Sequence, residues 1–164
     1  MHEKMITNSF GAEKGLNLVT YIDADGNPWD GPAEIVTELG CAAAIPKGTL
    51  VCLDAASVTA TVPLRWRAWL GASDAANLIK GVTLKATTAA GQIVPVVTKG
   101  FCQALVTGQT PAVGNYGVVT AAQNVPTPGS AELAATVVPG AVVGIHLSIK
   151  DAVTNLAAFW FEHV

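Results

Sequence analysis

Charge is what this chain has least of. Only 13% of its residues are Asp, Glu, Lys or Arg, where about a quarter is usual for a soluble domain. Hydrophobic residues reach 51%, yet no apolar run approaches the roughly 18 residues of a membrane-spanning helix, so the sequence holds no candidate for one. A basic surplus is missing too. The formal net charge of -3 and a pI near 5.5 leave no broad positive field to collect nucleic acid or anionic lipid. Cys41, Cys52 and Cys102 are odd in number and far apart, without a C-x-x-C pair or a nearby His. They signal neither a disulfide framework nor a zinc site, and the expectation is buried free thiols in a reducing compartment. The stretch Met1-His2-Glu3-Lys4-Met5 lacks the apolar core of a secretion signal, which predicts use without the ordinary secretory route.

What is present is β-structure. At 164 residues the chain has the size of one domain with a core of its own. Sixteen glycines and nine prolines break it into short runs. Leu16 to Ile22 reads as a strand after an interrupted, extended arm. Asp30 to Gly40 carries Pro32 at a first helical position, Glu34 in the first turn and Gly40 as a stop, which predicts one short helix. The division expected is therefore an arm with a short helical segment over 1–45 and a β-domain over 46–164. From Gly48 the period is two: Thr49–Leu53, Ser57–Val62, Val82–Lys85, Gln92–Val97, Phe101–Val106, Gly117–Thr120 and Val143–Ile149 are β-rich, and Ala157–Val164 reads as a last strand. The first two of these predict an opening hairpin. Pro95 belongs on an edge or at a bulge, because it has no amide proton for a ladder. An internal echo runs through the domain: Ile79-Lys80-Gly81-Val82-Thr83-Leu84 matches Val142-Val143-Gly144-Ile145-His146-Leu147, and in the same register Ile93–Val96 falls on Leu156–Phe159. Similar hairpins repeated in this way suit a small barrel or sandwich.

The search for chemistry returns little. There is no G-x-S-x-G elbow, P-loop, H-E-x-x-H or dinucleotide fingerprint, and no catalytic residue, cofactor site or metal site is assigned. His146 alternates with Val143, Ile145 and Leu147, so it is placed on the solvent face if those three face the core. Asp23-Ala24-Asp25-Gly26-Asn27-Pro28-Trp29-Asp30 puts oxygens at alternate positions, with Glu34 where a calcium loop carries its last ligand. Pro28 stands where such a loop needs glycine, and a plain hairpin turn is the better reading of Asp23, Asp25 and Asn27. Leu64-Arg65-Trp66-Arg67-Ala68-Trp69-Leu70 combines half the tryptophans with both arginines of the chain. Trp and Arg are enriched at energetic centres of protein interfaces, so Arg65, Trp66, Arg67 and Trp69 are read as interface candidates ahead of core packing.

One resemblance goes further. Gly48-Thr49-Leu50-Val51, Ser73-Asp74-Ala75-Ala76-Asn77-Leu78-Ile79-Lys80-Gly81-Val82-Thr83-Leu84, Ala89-Ala90-Gly91-Gln92-Ile93-Val94-Pro95-Val96 and Gly100-Phe101 together resemble the decoration, or cement, proteins of tailed-bacteriophage capsids. The likeness covers residues 48–108, with a fainter continuation through Val143-Gly144-Ile145. It implies a mainly β fold, a small β-barrel or β-tulip. It also implies a structural virion protein and no enzyme: a homotrimer made in the host cytoplasm that binds the major capsid protein on the outer capsid surface, with no nucleic-acid or membrane partner. An N-terminal arm that grips the shell would map to the stretch before Pro32, where Met5, Ile6, Phe10 and Trp29 are the contact candidates. The alternative kept beside it is another virion β-module, a tail or spike component. The arm and the Arg65–Trp69 cluster depart from shorter members of that family.

Overall fold

In the computed structural model of the protein, residues 16–23, 25–55, 58–69, 78–106, 110–118, 127–128 and 142–163 are described. They form ten strands: β1 Leu16–Ile22, β2 Pro28–Val36, β3 Leu50–Leu53, β4 Trp66–Ala68, β5 Ile79–Thr83, β6 Val96–Leu105, β7 Tyr116–Val118, β8 Thr127–Pro128, β9 Val142–His146 and β10 Leu156–Phe161. All ladders between them are antiparallel. The sheet runs β4-β3-β5-β6-β10-β9-β7-β8, with the β1–β2 hairpin attached through β2 to β6. This single sheet curls into a half-barrel, so the fold is mainly β.

β6 is the spine because it is long enough to serve three partners. Val96 and Val97 pair with β5, Val96 to Gly100 with β2, and Gly100 to Leu105 with β10. Burial along β6 is nearly continuous, as expected of a strand covered on both faces. Its residues Val97, Phe101, Cys102 and Ala104 join Leu50, Val82, Val143, Phe159 and Phe161 in the main core. A second, smaller core holds Cys41, Ile45, Val51, Trp66, Val94 and Val96.

Three sequence expectations change. The segment expected to be helical, Asp30 to Gly40, is strand as far as Val36, pairing with β1 from Ile22↔Pro28 to Leu16↔Glu34 and with β6 from Ala33 to Val36. Pro32 and Glu34 are local helix cues, but a two-turn helix is marginal on its own, whereas Ile35, Val36 and Thr37 are β-branched and β6 offers a ladder. Gly31 lies so close to Phe101 that an added Cβ would sit 2.6 Å from its ring, which fixes the hairpin tightly over the sheet. Residues 16–36 are thus part of the sheet; the arm expected before them lies outside the described residues. The second correction concerns the opening hairpin. The partner of β3 is β4, through Val51↔Ala68, Cys52↔Arg67 and Leu53↔Trp66, while the threonines of the Ser57–Val62 run close a turn in which Val62 N and Thr61 N donate to Thr59 Oγ1 at 3.0 and 3.3 Å. Hydroxyls that bond their own backbone compete with strand pairing. Pro95 sits just outside the ladder of β6, where it needs no donor.

The third correction is His146, which is fully buried (0% exposed) and packs edge-on against Phe159 at 4.9 Å. Strict alternation from Val143 would place it outward. The β7–β9 ladder shifts register between Gly117 and Val118, so a bulge resets the phase: Val143 and His146 face inward and Ile145 outward. Gly144 permits this with φ 156°, where an added Cβ would collide with the Trp160 carbonyl and lie 2.7 Å from the Phe159 ring.

Candidate functional site

The Arg-Trp cluster is built into the fold more deeply than its composition suggests. Trp66 is 2% exposed in the smaller core and Trp69 is 1% exposed in the main one. Their rings are committed to packing, and neither indole N–H has an acceptor among the described residues. On the surface side, Arg65 Nη2 lies 3.5 Å from Asp54 Oδ2 and Arg67 Nε 3.9 Å from Asp54 Oδ1. One mostly buried carboxylate thus holds two guanidiniums. On its other flank β4 meets Gly40 to Ala42, through Trp66 N to Gly40 O at 2.8 Å and Ala42 N to Trp66 O at 2.7 Å, so it presents no open sheet edge.

Trp29 is half-buried against the main core and its Nε1 donates to Asp23 Oδ2 at 3.1 Å. The other Asp23 oxygen accepts from Asn27 N at 2.8 Å and Asp25 N at 3.0 Å. These donors, the Trp29 indole foremost, hold the Asp23 carboxyl below its ordinary value. The Asp23 oxygens close the β1–β2 turn, and among the described residues no group of three His, Cys, Asp or Glu side chains could hold a metal. Met5, Ile6 and Phe10 lie outside the described residues.

Two grooves flank Tyr21. One of about 310 Å³ includes Lys47, Gln103, Asp151 and Thr154, and one of about 410 Å³ includes Trp29, Val113, Ile149 and Lys150. Burial, then the charges of Asp151 and Asp23, raise the Tyr21 phenol above its usual value. Asp151 is itself held low by the Thr154 and Val153 amides and the Thr154 hydroxyl. Neither groove is lined by a His or Cys. The three cysteines are buried free thiols, as expected. Burial pushes the Cys102 thiol far up, away from nucleophilic reactivity.

The feature that sequence reasoning missed is an outward strip across three strands of the same sheet. Tyr116 on β7 pairs with Ile145 on β9, and Ile145 pairs with Trp160 on β10, so the three side chains are same-face neighbours. Tyr116 is 56% and Ile145 36% exposed, while Trp160 beside them is half-buried and packs against the main core. At its rim Trp160 Nε1 donates to Glu162 Oε2 at 3.4 Å, and Glu162 pairs with Lys99 Nζ at 2.9 Å. The ion pair lowers the Glu162 carboxyl and raises the Lys99 ammonium. Alternation alone sends Ile145 into the core; only the bulge beside Gly144 turns it out. Further exposed apolar residues, Val113, Ile149 and Val153, lie on the loops before β7 and between β9 and β10.

No protein-family model matches the chain, and no curated protein matches it. No helix among the described residues is long and apolar enough to cross a membrane.

Proposed function

We propose that this chain is a structural virion protein that binds the outer surface of a tailed-phage capsid as a cement, with the major capsid protein and two further copies of itself as partners. The carrying observation is the exposed pair Tyr116 and Ile145 on neighbouring strands, flanked by the half-buried Trp160, in a chain with 13% charged residues. Exposed apolar area of this kind marks contact surfaces, and Tyr and Trp are enriched at their centres. The resemblance of residues 48–108 to decoration proteins supplies the partner. The mechanism is mass action: a protein that binds the assembled lattice and not its separated subunits shifts the equilibrium toward the shell by its binding free energy per copy.

The test is co-sedimentation of the purified chain with expanded, undecorated shells. Saturable binding, with shells that melt at higher temperature, is expected; a chain left in the supernatant at micromolar concentration overturns the proposal. A solution mass of three chains is the expected oligomer. Removing residues 1–14 tests the arm that the resemblance implies: weaker shell binding with an unchanged β circular-dichroism spectrum supports it, and unchanged affinity refutes it.

A further inference from the structure

The order β4-β3-β5-β6-β10-β9-β7-β8 reads the same from either end if the strands are named by role. In each half a first strand (β3, β7) pairs with the next in sequence (β4, β8) on one side and with the third (β5, β9) on the other, and the third pairs with the fourth (β6, β10). The fourth strands then pair with each other. From this mirror order and the geometry below we infer that the domain is an internal duplication of one four-strand unit, Gly48 to Leu105 and Gly114 to Phe161.

The hairpins joining third to fourth strands match in length and register. Val82↔Val97 and Thr83↔Val96 in the first unit correspond to Ile145↔Trp160 and His146↔Phe159 in the second, all displaced along the chain by the offset that carries Gly81 to Gly144. The irregularities match as well. Between β3 and β5 the pairs are Leu50↔Val82 and Val51↔Gly81, then a register shift, then Cys52↔Ile79. Between β7 and β9 they are Tyr116↔Ile145 and Gly117↔Gly144, the same shift, then Val118↔Val142.

The entry to each unit repeats in hydrogen-bonded detail. Gly48 and Gly114 both have positive φ, 77° and 84°. Gly48 N donates to Thr83 O at 2.8 Å, and Gly114 N to His146 O at 2.7 Å. Thr83 N bonds Thr49 O as His146 N bonds Asn115 O, and Leu84 N bonds Pro95 O as Leu147 N bonds Ala158 O. Where the two units join, the offset that relates their hairpins carries Lys99 onto Glu162, the residues that form an ion pair at 2.9 Å.

Similar hairpins stacked by chance would leave the position of a bulge, the loop length and the turn glycine free to differ. A bulge is a specific local feature, and here it recurs at the same step beside the same glycine. The units differ in how much they bury. The first buries both faces, with Leu50, Val82 and Val97 in the main core and Val51 and Val96 in the smaller one, whereas in the second His146 and Phe159 are buried while Tyr116 and Ile145, the counterparts of Leu50 and Val82, are exposed. The β1–β2 hairpin lies between the matched ends of the units: Lys47, Leu84 and Pro95 line a groove of about 250 Å³ on one side, and Val113 and Ser148 line the groove of about 410 Å³ on the other.

The inference does not depend on capsid binding, and the intact chain tests it by NMR. Cross-strand NOEs are expected between Val82 and Val97 and between Ile145 and Trp160, a register shift beside both Gly81 and Gly144, and slow amide exchange at Leu84 and Leu147 alike. A second hairpin paired in any other register, or a β7–β9 ladder that runs regularly past Gly144, overturns it.

Discussion

At the scale of single residues, Asp23 shows how one carboxylate organises a turn. Its oxygens accept from two amides and an indole, and its folded value lies below the ordinary 3.8. A group lowered by folding contributes stability that is present above its unfolded value and lost as pH falls through the folded one. Asp23→Asn should therefore flatten part of the acid limb below pH 3.8, read as melting temperature against pH; an acid limb identical to the parent's would show that the turn does not depend on that charge. Trp69 poses the opposite case, a polar atom that packing has stranded. Its unbonded N–H costs about 1–3 kcal/mol, so Trp69→Phe should stay within about 1.5 kcal/mol of the parent in urea unfolding. Trp69→Ala, which opens a cavity, should lose about 3–5 kcal/mol. Equal losses would mean that the indole N–H is bonded after all.

At the scale of elements, local cues and pairing compete, and pairing decides. Pro32, Glu34 and Gly40 signal a helix, yet that stretch becomes β2 because β1 and β6 satisfy its backbone. The β-branched run before Val62 signals a strand, yet Thr59 closes it into a turn. In β9 the alternation is legible but its phase is not, since the bulge at Gly144 reverses which side chains face the core. Gly144→Ala must be accommodated against the Trp160 carbonyl and the Phe159 ring. It should cost about 2 kcal/mol or more, in the range of local backbone strain plus displaced packing. At Gly26, by contrast, an added Cβ would have no neighbour within 4 Å and would meet only the cost of the positive φ, so Gly26→Ala should cost less. Urea midpoints of the two variants check that ranking.

At the scale of the whole molecule, the scarcity of charge and the outward strip support the same reading, a surface meant to be covered. Replacing Tyr116 by Ser together with Ile145 by Thr removes apolar area from residues that are not in the core. Folding stability should change by no more than about 1 kcal/mol. Shell binding should fall about tenfold or more, equivalent to about 1.4 kcal/mol. Unaltered shell binding in co-sedimentation would remove the strip from the proposed contact surface.

Legible in the sequence alone were the mainly β class and many of the strand positions: most period-two runs after Gly48, though not Ser57–Val62, the strand Leu16–Ile22, the turn at Asp23 to Asn27, the buried free cysteines and the echo between Ile79–Leu84 and Val142–Leu147. These follow from side-chain alternation and turn chemistry, which are properties of neighbours along the chain. Tertiary structure alone decided that β2 is a strand, that Trp66 and Trp69 lie inside, that His146 is buried and that Ile145 faces out. The reason is physical: a ladder partner and a one-residue bulge are set by contacts between distant segments, and a single shift of register reverses the face of every residue beyond it.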